Sequence, residues 1–393
     1  MAEPGRPAAR WRPHRTRWRQ RRTGTLPPAR PQRAARSQRL ARSLRLAAAA
    51  LAVAVGVSVL VAGAALAGLT AEGSGTVPAL VHAAGSDGLW LGHAWVDGRR
   101  GDRDLAALAA RLRATRIRDV FVHVGPLSDN GSLDPARHPR ARWLVAGLHR
   151  LLPGLRVQAW LGDLVSPGHL RLDDPASRAR VLRAAAGLLA EGFGGIHYDL
   201  EPVPGGDPGF LALLAASHTL TRAHRAVLSV ACPQVEPLPL PGPAQWLLGR
   251  LHWWPAGYLH AVAARSDEVA LMTYGTGVPT ATAYSGYIRL ETSRALAAVP
   301  PRDLLLIGLP AYHTSEFGHT GGETVAAAAR GVRLALGSRV LRRPVGVSLY
   351  VDFTATAGDW AAYRAGWVRA HPAGSIPGRP GGPAAQPAFQ KAH

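Results

Sequence analysis

Gly194-Gly195-Ile196-His197-Tyr198-Asp199-Leu200-Glu201-Pro202 is the stretch from which the rest of the chain can be read. Apolar and polar residues alternate across it, and a proline ends it. Alternation of this kind marks a strand, with His197, Asp199 and Glu201 on one face and Ile196, Tyr198 and Leu200 on the other. Two carboxylates and an imidazole on one face of a buried strand are costly unless they have partners or a task. They stand at the strand's C-terminal end, where α/β barrels keep their chemistry.

Similar short apolar runs recur on both sides. They are Leu89–Val96, Val120–Val124, Val157–Leu161, Gly195–Leu200, Val227–Ala231, Val269–Tyr274, Leu304–Leu309 and Val345–Val351. Segments of helical periodicity separate them: Leu105–Leu112, Trp143–Leu152, Val181–Leu189, Phe210–Ala223, Trp246–Ala263, Ser293–Ala298, Val325–Leu336 and Trp360–Val368. Asp173-Asp174-Pro175 is a helix start signal ahead of the third. Eight β/α units over 88–371 predict a (β/α)8 TIM barrel. A doubly wound open sheet is the runner-up, but no G-x-G-x-x-G follows the first strand.

The formal net charge of +21 belongs mostly to one end. Residues 1–45 hold fourteen Arg and one Glu, so they supply +13 of it. The run Arg10 to Arg22, with Trp11 and Trp18 interleaved, invites a nucleic-acid reading. The neighbouring apolar segment argues against it. Leu46–Leu69 carries no charge, and its 24 residues at 1.5 Å rise cover roughly the 30 Å hydrocarbon core. A basic flank before a span stays cytoplasmic. The expectation is a single-pass cell-membrane protein with its tail (1–45) inside, one transmembrane helix (46–69), a linker (70–87), the barrel outside, and a disordered Pro/Gly-rich tail (372–393). A cleavable signal peptide is the rival reading, since Ala65-Leu66-Ala67 is a small-x-small site.

The single Cys232 sits in an apolar run, which excludes an intramolecular disulfide and suits a small core residue. The other candidates are the residues at the strand ends. They are His93, Trp95, His123, Trp160, Asp163, Gln234, Glu236, Met272, Tyr274, Tyr312, His313, Tyr350 and Asp352, beside the trio on the fourth strand. Aromatic faces mixed with acids and amides suit a sugar site. Asp199 and Glu201 are two residues apart, so their backbones lie about 6.6–6.8 Å apart on one side. Ordinary glycosidases need carboxyls on opposite sides of the scissile bond. A same-strand pair suits a reaction in which the substrate supplies its own nucleophile.

Three motifs carry a family resemblance. Gly192-Phe193-Gly194-Gly195-Ile196-His197-Tyr198-Asp199-Leu200-Glu201-Pro202 resembles the fourth-strand signature D-x-x-D-x-D-x-E of glycoside hydrolase family 18. Met272-Thr273-Tyr274 resembles that family's M-x-Y, and Gly308-Leu309-Pro310-Ala311-Tyr312 its G-x-P-x-Y. The resemblance implies that Glu201 is the general acid, that Asp199 orients the substrate acetamido group, and that Tyr274 assists it. His197, Met272, Trp95, Trp160, Gln234, Tyr312 and Tyr350 are then the expected substrate-binding residues. Two signature aspartates are absent: Gly194 and His197 stand in their places, and Gly275 follows Tyr274 where the family commonly has Asp.

The leading expectation is thus a membrane-anchored hydrolase of 2-acetamido-sugar glycans, peptidoglycan or chitin-like. Its partners are a polysaccharide and the membrane through Leu46–Leu69, without nucleic acid, cofactor or metal, and it acts as a monomer. One rival is a glycan-binding barrel without turnover. The other is a metal-dependent hydrolase built on His93, His123 and His197, which no H-x-H or H-E-x-x-H spacing supports.

Overall fold

In this computed structural model the described residues are 32–237, 253–314, 318–337, 340–341 and 343–371. The Arg-rich run Arg10 to Arg22, Trp246 and the 372–393 tail lie outside them. The chain divides into two units, the first ending at Val61 and the second, from Ala62, holding the barrel. A helix spans Gln32–Gly73. Its stretch Ala41–Gly73, which contains an 18-residue window of mean hydropathy 2.4, is long and apolar enough to cross a membrane.

Eight parallel strands close into a barrel, each followed by a helix, as the alternation predicts. We number them β1 (Asp87–Leu91), β2 (Ile117–Pro126), β3 (Arg156–Leu164), β4 (Gly195–Glu201), β5 (Val227–Cys232), β6 (Glu268–Leu271), β7 (Leu304–Pro310) and β8 (Val345–Tyr350). The helices are α1 (Asp102–Arg113), α2 (Ala141–Leu151), α3 (Pro175–Ala190), α4 (Pro208–Ala223), α5 (Ala256–Ala263), α6 (Ala281–Ala298), α7 (Val325–Leu336) and α8 (Ala357–Gly366). Neighbours in sequence pair in space, and β8 closes on β1 through Ser348↔Gly88 and Leu349↔Leu89.

The alternation in β4 sets what it buries. Ile196, Tyr198 and Leu200 pack outward into the large apolar layer between sheet and helices. Inside the barrel a smaller cluster holds Trp90, Phe121, Trp160, Ala270, Leu304 and Leu306. Local signals position β4 at both ends. Before it, Asp174 caps α3 by accepting from Ala176 N and Ser177 N, with Pro175 in the first turn. After it, Asp207 caps α4 by accepting from Phe210 N. Asp87 fastens the closing seam. It is fully buried and accepts from Tyr363 Oη at 2.6 Å, Trp367 Nε1 at 3.0 Å and Val347 N at 3.0 Å, with Arg116 at 3.8 Å.

Three expectations change. The stretch 70–87 is not a free linker. Arg330 donates to the Gly73 and Gly75 carbonyls, Arg333 donates to that of Pro78, and His82–Ala83 pairs with Val340–Leu341. Small residues hid this from the sequence, because its partners are distant arginines. The expected helix Trp246–Ala263 begins at Ala256. Pro255 ends a two-residue strand, Trp253–Trp254, paired with Gln234–Val235, so both tryptophans lie ahead of the helix. The first strand ends at Leu91, and a 3₁₀ turn over His93–Trp95 takes Trp95 off the strand.

Candidate active site

β4 ends at the barrel's mouth with Asp199 and Glu201 facing inward. Glu201 is exposed to the cleft, yet protein walls surround its carboxyl. That burial raises its pKa well above the carboxylate range, and the Asp199 charge and hydrogen bond raise it further. Burial also raises Asp199, opposed by the neighbouring Glu201 carboxyl and the Trp160 indole. Two hydrogen-bonded acids favour a proton shared between them, and the upward shift is the stronger at Glu201.

Tyrosines form the facing wall. Tyr274 stacks on Tyr350, with centroids 4.9 Å apart and planes at 19°. Tyr312 meets both edge-on, at 5.7 and 5.9 Å. Burial, with the charges of Tyr350, Asp199 and Glu201, holds the Tyr274 hydroxyl protonated, so it is a donor. Four buried polar atoms here have no hydrogen-bond partner among the described residues: Asp199 Oδ1, Trp160 Nε1, Tyr274 Oη and Tyr312 Oη. Buried polar atoms are rarely left so, and a cluster of them in a cleft reads as a ligand site.

The backbone carrying Tyr274 is clamped on three sides. Tyr284 Oη donates to Thr273 O at 2.9 Å, and Gln234 Nε2 donates to Tyr274 O at 2.9 Å. Buried Glu323 accepts from Gly275 N, Thr276 N, Thr276 Oγ1 and Gly277 N at 2.7 to 3.1 Å. No sequence signal flags Glu323, which looks like part of a polar turn before α7. Its carboxylate reaches the loop that Gly275 leaves without one.

His197 is not part of the cleft. It is fully buried, stacks on Phe121 with centroids 4.0 Å apart, and has both ring nitrogens engaged. Trp90 Nε1 donates to Nε2 at 3.0 Å. An indole nitrogen only donates, so Nε2 is the acceptor and the ring proton sits on Nδ1. Nδ1 donates to Ser229 Oγ at 2.7 Å, and Ser229 donates to Gln158 Oε1 at 2.8 Å. Gln158 Nε2 bonds Asp119 and Glu268, and both carboxylates meet Arg156. Burial pushes His197 down to about 3, so it is neutral. It therefore neither binds substrate nor bonds Asp199.

Trp95 and Gln234 also differ from expectation. Trp95 is 5% exposed and donates to Asp352 Oδ2 at 2.8 Å, while Asp352 also accepts from Gly92 N at 2.7 Å. Gln234 spends its carbonyl on Trp253 Nε1 and Tyr287 Oη, so it positions Tyr274 and does not face a ligand. Trp160, Tyr312 and Tyr350 line the site, and Met272 is half-buried beside it in sequence. His93 and His123 meet ring to ring at 5.4 Å. Among the described residues no three His, Cys, Asp or Glu side chains converge as a metal site.

No known family profile matches the chain, and no curated protein does. Solved structures do. The fold is similar to that of a chitinase from Chromobacterium violaceum ATCC 12472, at 15% identity and TM-score 0.50, covering 72% of this chain and 98% of that one. It is similar too to the Bacillus cereus spore cortex-lytic enzyme SleL, at 12% identity and TM-score 0.51, covering 76% of each chain. At these identities the likeness is one of fold: this chain is a (β/α)8 barrel with an acidic pair at the end of its fourth strand.

Proposed function

We propose that this protein is a glycoside hydrolase, similar to family 18, that cleaves 2-acetamido-sugar glycans with the substrate's own acetamido group as nucleophile. The observation that carries this is the Asp199–Glu201 pair at the end of β4, in an aromatic cleft where Tyr274 stacks on Tyr350 and its hydroxyl has no partner among the described residues. Asp199 and Tyr274 would hold the acetamido N–H and oxygen. That oxygen attacks the anomeric carbon while Glu201 gives its proton to the departing glycosidic oxygen. Water then attacks the same carbon, Glu201 takes back a proton, and the acetamido group is restored. The fold shared with a chitinase and with a spore cortex-lytic enzyme supports this reading.

The same reading makes the apolar helix a membrane anchor, with the Arg-rich tail cytoplasmic, the barrel outside and the protein monomeric. Protease added to intact cells should then digest the barrel and spare the tail. The chemistry is tested by turnover of a chromogenic N-acetylglucosamine oligomer by the full chain. Wild type should release chromophore, and Glu201→Gln should not. A wild-type protein that binds the oligomer without cleaving it would favour the second reading, a glycan-binding barrel. One observation favours that reading: His197 stands where the family has a proton-sharing Asp, and it is committed to Trp90 and Ser229.

A further inference from the structure

Next to Trp160, on the far side from Tyr274, the cleft has a polar corner at the ends of β1, β2 and β3 whose His93, His123 and Arg137 the glycosidic reaction does not use. β2 slips register between His123 and Gly125, and Gly125 takes φ +127°, which glycine adopts without strain. Basic side chains gather at this bulge. His93 Nδ1 donates to the His123 carbonyl at 3.0 Å, leaving its Nε2 uncommitted. The Arg137 stem passes the bare face of Gly125. A Cβ built there would lie 3.2 Å from Arg137 Cδ and 3.7 Å from His93 Cε1. Arg137 is exposed, and its guanidinium has no partner among the described residues.

Gly162 opens the corner on its β3 side. A Cβ there would lie 3.6 Å from Trp160 Nε1 and 4.0 Å from His123 Nε2. Trp160 is 8% exposed, its indole N–H faces Asp199, and its ring meets His123 at 4.8 Å. Burial, with the His93 charge adding, pushes His123 down to about 4, so at neutral pH it is an uncharged ring. Two nearby acids are already engaged: Asp97 with Arg99 at 2.7 Å, and Asp352 with Gly92 and Trp95. The corner therefore offers two imidazoles and a guanidinium that has no partner among the described residues. Asp163, with one oxygen on Leu164 N and the other unpartnered, is the remaining acid at the end of β3.

We propose that this corner is a carboxylate subsite, which binds an acidic substituent such as an O-lactyl ether on a 2-acetamido glycan and so selects acidic glycans over neutral ones. The subsite rests on the reading of the protein as a glycan hydrolase. Arg presents a planar fork that matches a carboxylate, and charge-assisted hydrogen bonds are about twice as strong as neutral ones.

The test measures binding by the full-length Glu201→Gln protein, so turnover does not enter. Two oligosaccharides of equal length are titrated by calorimetry: one of N-acetylglucosamine alone, the other alternating it with N-acetylmuramic acid. The acidic oligomer should bind about ten- to a hundredfold more tightly, the range expected for hydrogen bonds to a charged group. Adding Arg137→Ala should bring it to the affinity of the neutral one, and Arg137→Lys should restore part of the difference. Equal affinity for the two oligomers, or a preference that survives Arg137→Ala, would overturn the subsite while leaving the glycan reading intact. Failure of both oligomers to bind would remove the glycan reading and the subsite with it.

Discussion

The two ends of the barrel interior hold similar side chains and treat them oppositely. Toward the N-terminal ends of the strands, Arg156, Asp119, Glu268, Gln158, Ser229, His197 and Trp90 form one chain of bonds, each member handing on to the next. Toward the C-terminal ends, Asp199, Trp160, Tyr274 and Tyr312 each keep a buried polar atom without a hydrogen-bond partner among the described residues. A satisfied network makes a buried polar group architectural, whereas an unsatisfied one keeps it available for a ligand. His197 lies two residues from Asp199 on the same face of β4, yet its bonds assign it to the lower set. What separates structure from chemistry here is therefore hydrogen-bond completion, since residue type and face are shared.

The contrast can be broken at either end. The largest effect should come from the upper end. Glu201→Gln should lower turnover by about 10²–10⁴-fold with little change in ligand affinity, the usual span for a general acid. A variant as fast as wild type would remove Glu201 from the chemistry. Next in size is Arg156→Met at the lower end. It leaves two buried carboxylates facing each other, and breaking a buried pair in this way costs about 3–5 kcal/mol. Denaturant unfolding should show that loss, and full stability would mean the network holds nothing together. Smaller again is Ser229→Ala, which orphans the His197 Nδ1 proton at about 1–3 kcal/mol. Specific activity per folded molecule should survive it. A large drop in kcat with unchanged stability would move His197 into the catalytic set.

The smallest effect is a pH dependence. Glu201 has a folded-state pKa raised above its unfolded one, so the folded chain binds the proton more tightly. Stability linked to this group is then full below the unfolded pKa and falls as pH rises toward the folded one. Glu201→Gln should match wild type in melting temperature near pH 4 and exceed it by a growing margin at neutral and higher pH. A margin that shrinks with rising pH would contradict the protonated acid. Turnover, which needs that proton, should fall over the same rise.

Periodicity made the barrel legible, because strands of period two and helices of period 3.6 alternate eight times. Pairing across strands was not legible. Trp90 and Ser229 reach His197 only through the register of β1, β4 and β5, so the sequence could place the ring on the inner face without naming its partners. Trp95 was misplaced because the chain turns after Leu91, and what holds it there is Asp352, more than 250 residues later. α6 begins twelve residues before its expected start at Ser293, since Tyr284, Gly286 and Glu291 are all buried and spoil the apolar stripe. Glu323 was invisible for a similar reason: its work is to accept backbone N–H groups that only the folded loop presents.

The seam at Asp87 has a consequence for how the protein is made. The carboxylate that starts the first strand is satisfied by Tyr363 and Trp367, 276 and 280 residues further on. A chain that emerges from its N-terminus brings Arg116 to that group early, but its Val347, Tyr363 and Trp367 donors arrive only with the end of the domain. Closing so long a loop is entropically costly and waits on contacts that cannot form earlier. Seven-eighths of this barrel is not a smaller barrel but an open sheet whose edge carboxylate lacks its hydrogen-bond donors, so delivery of the last helix is the step that completes the domain.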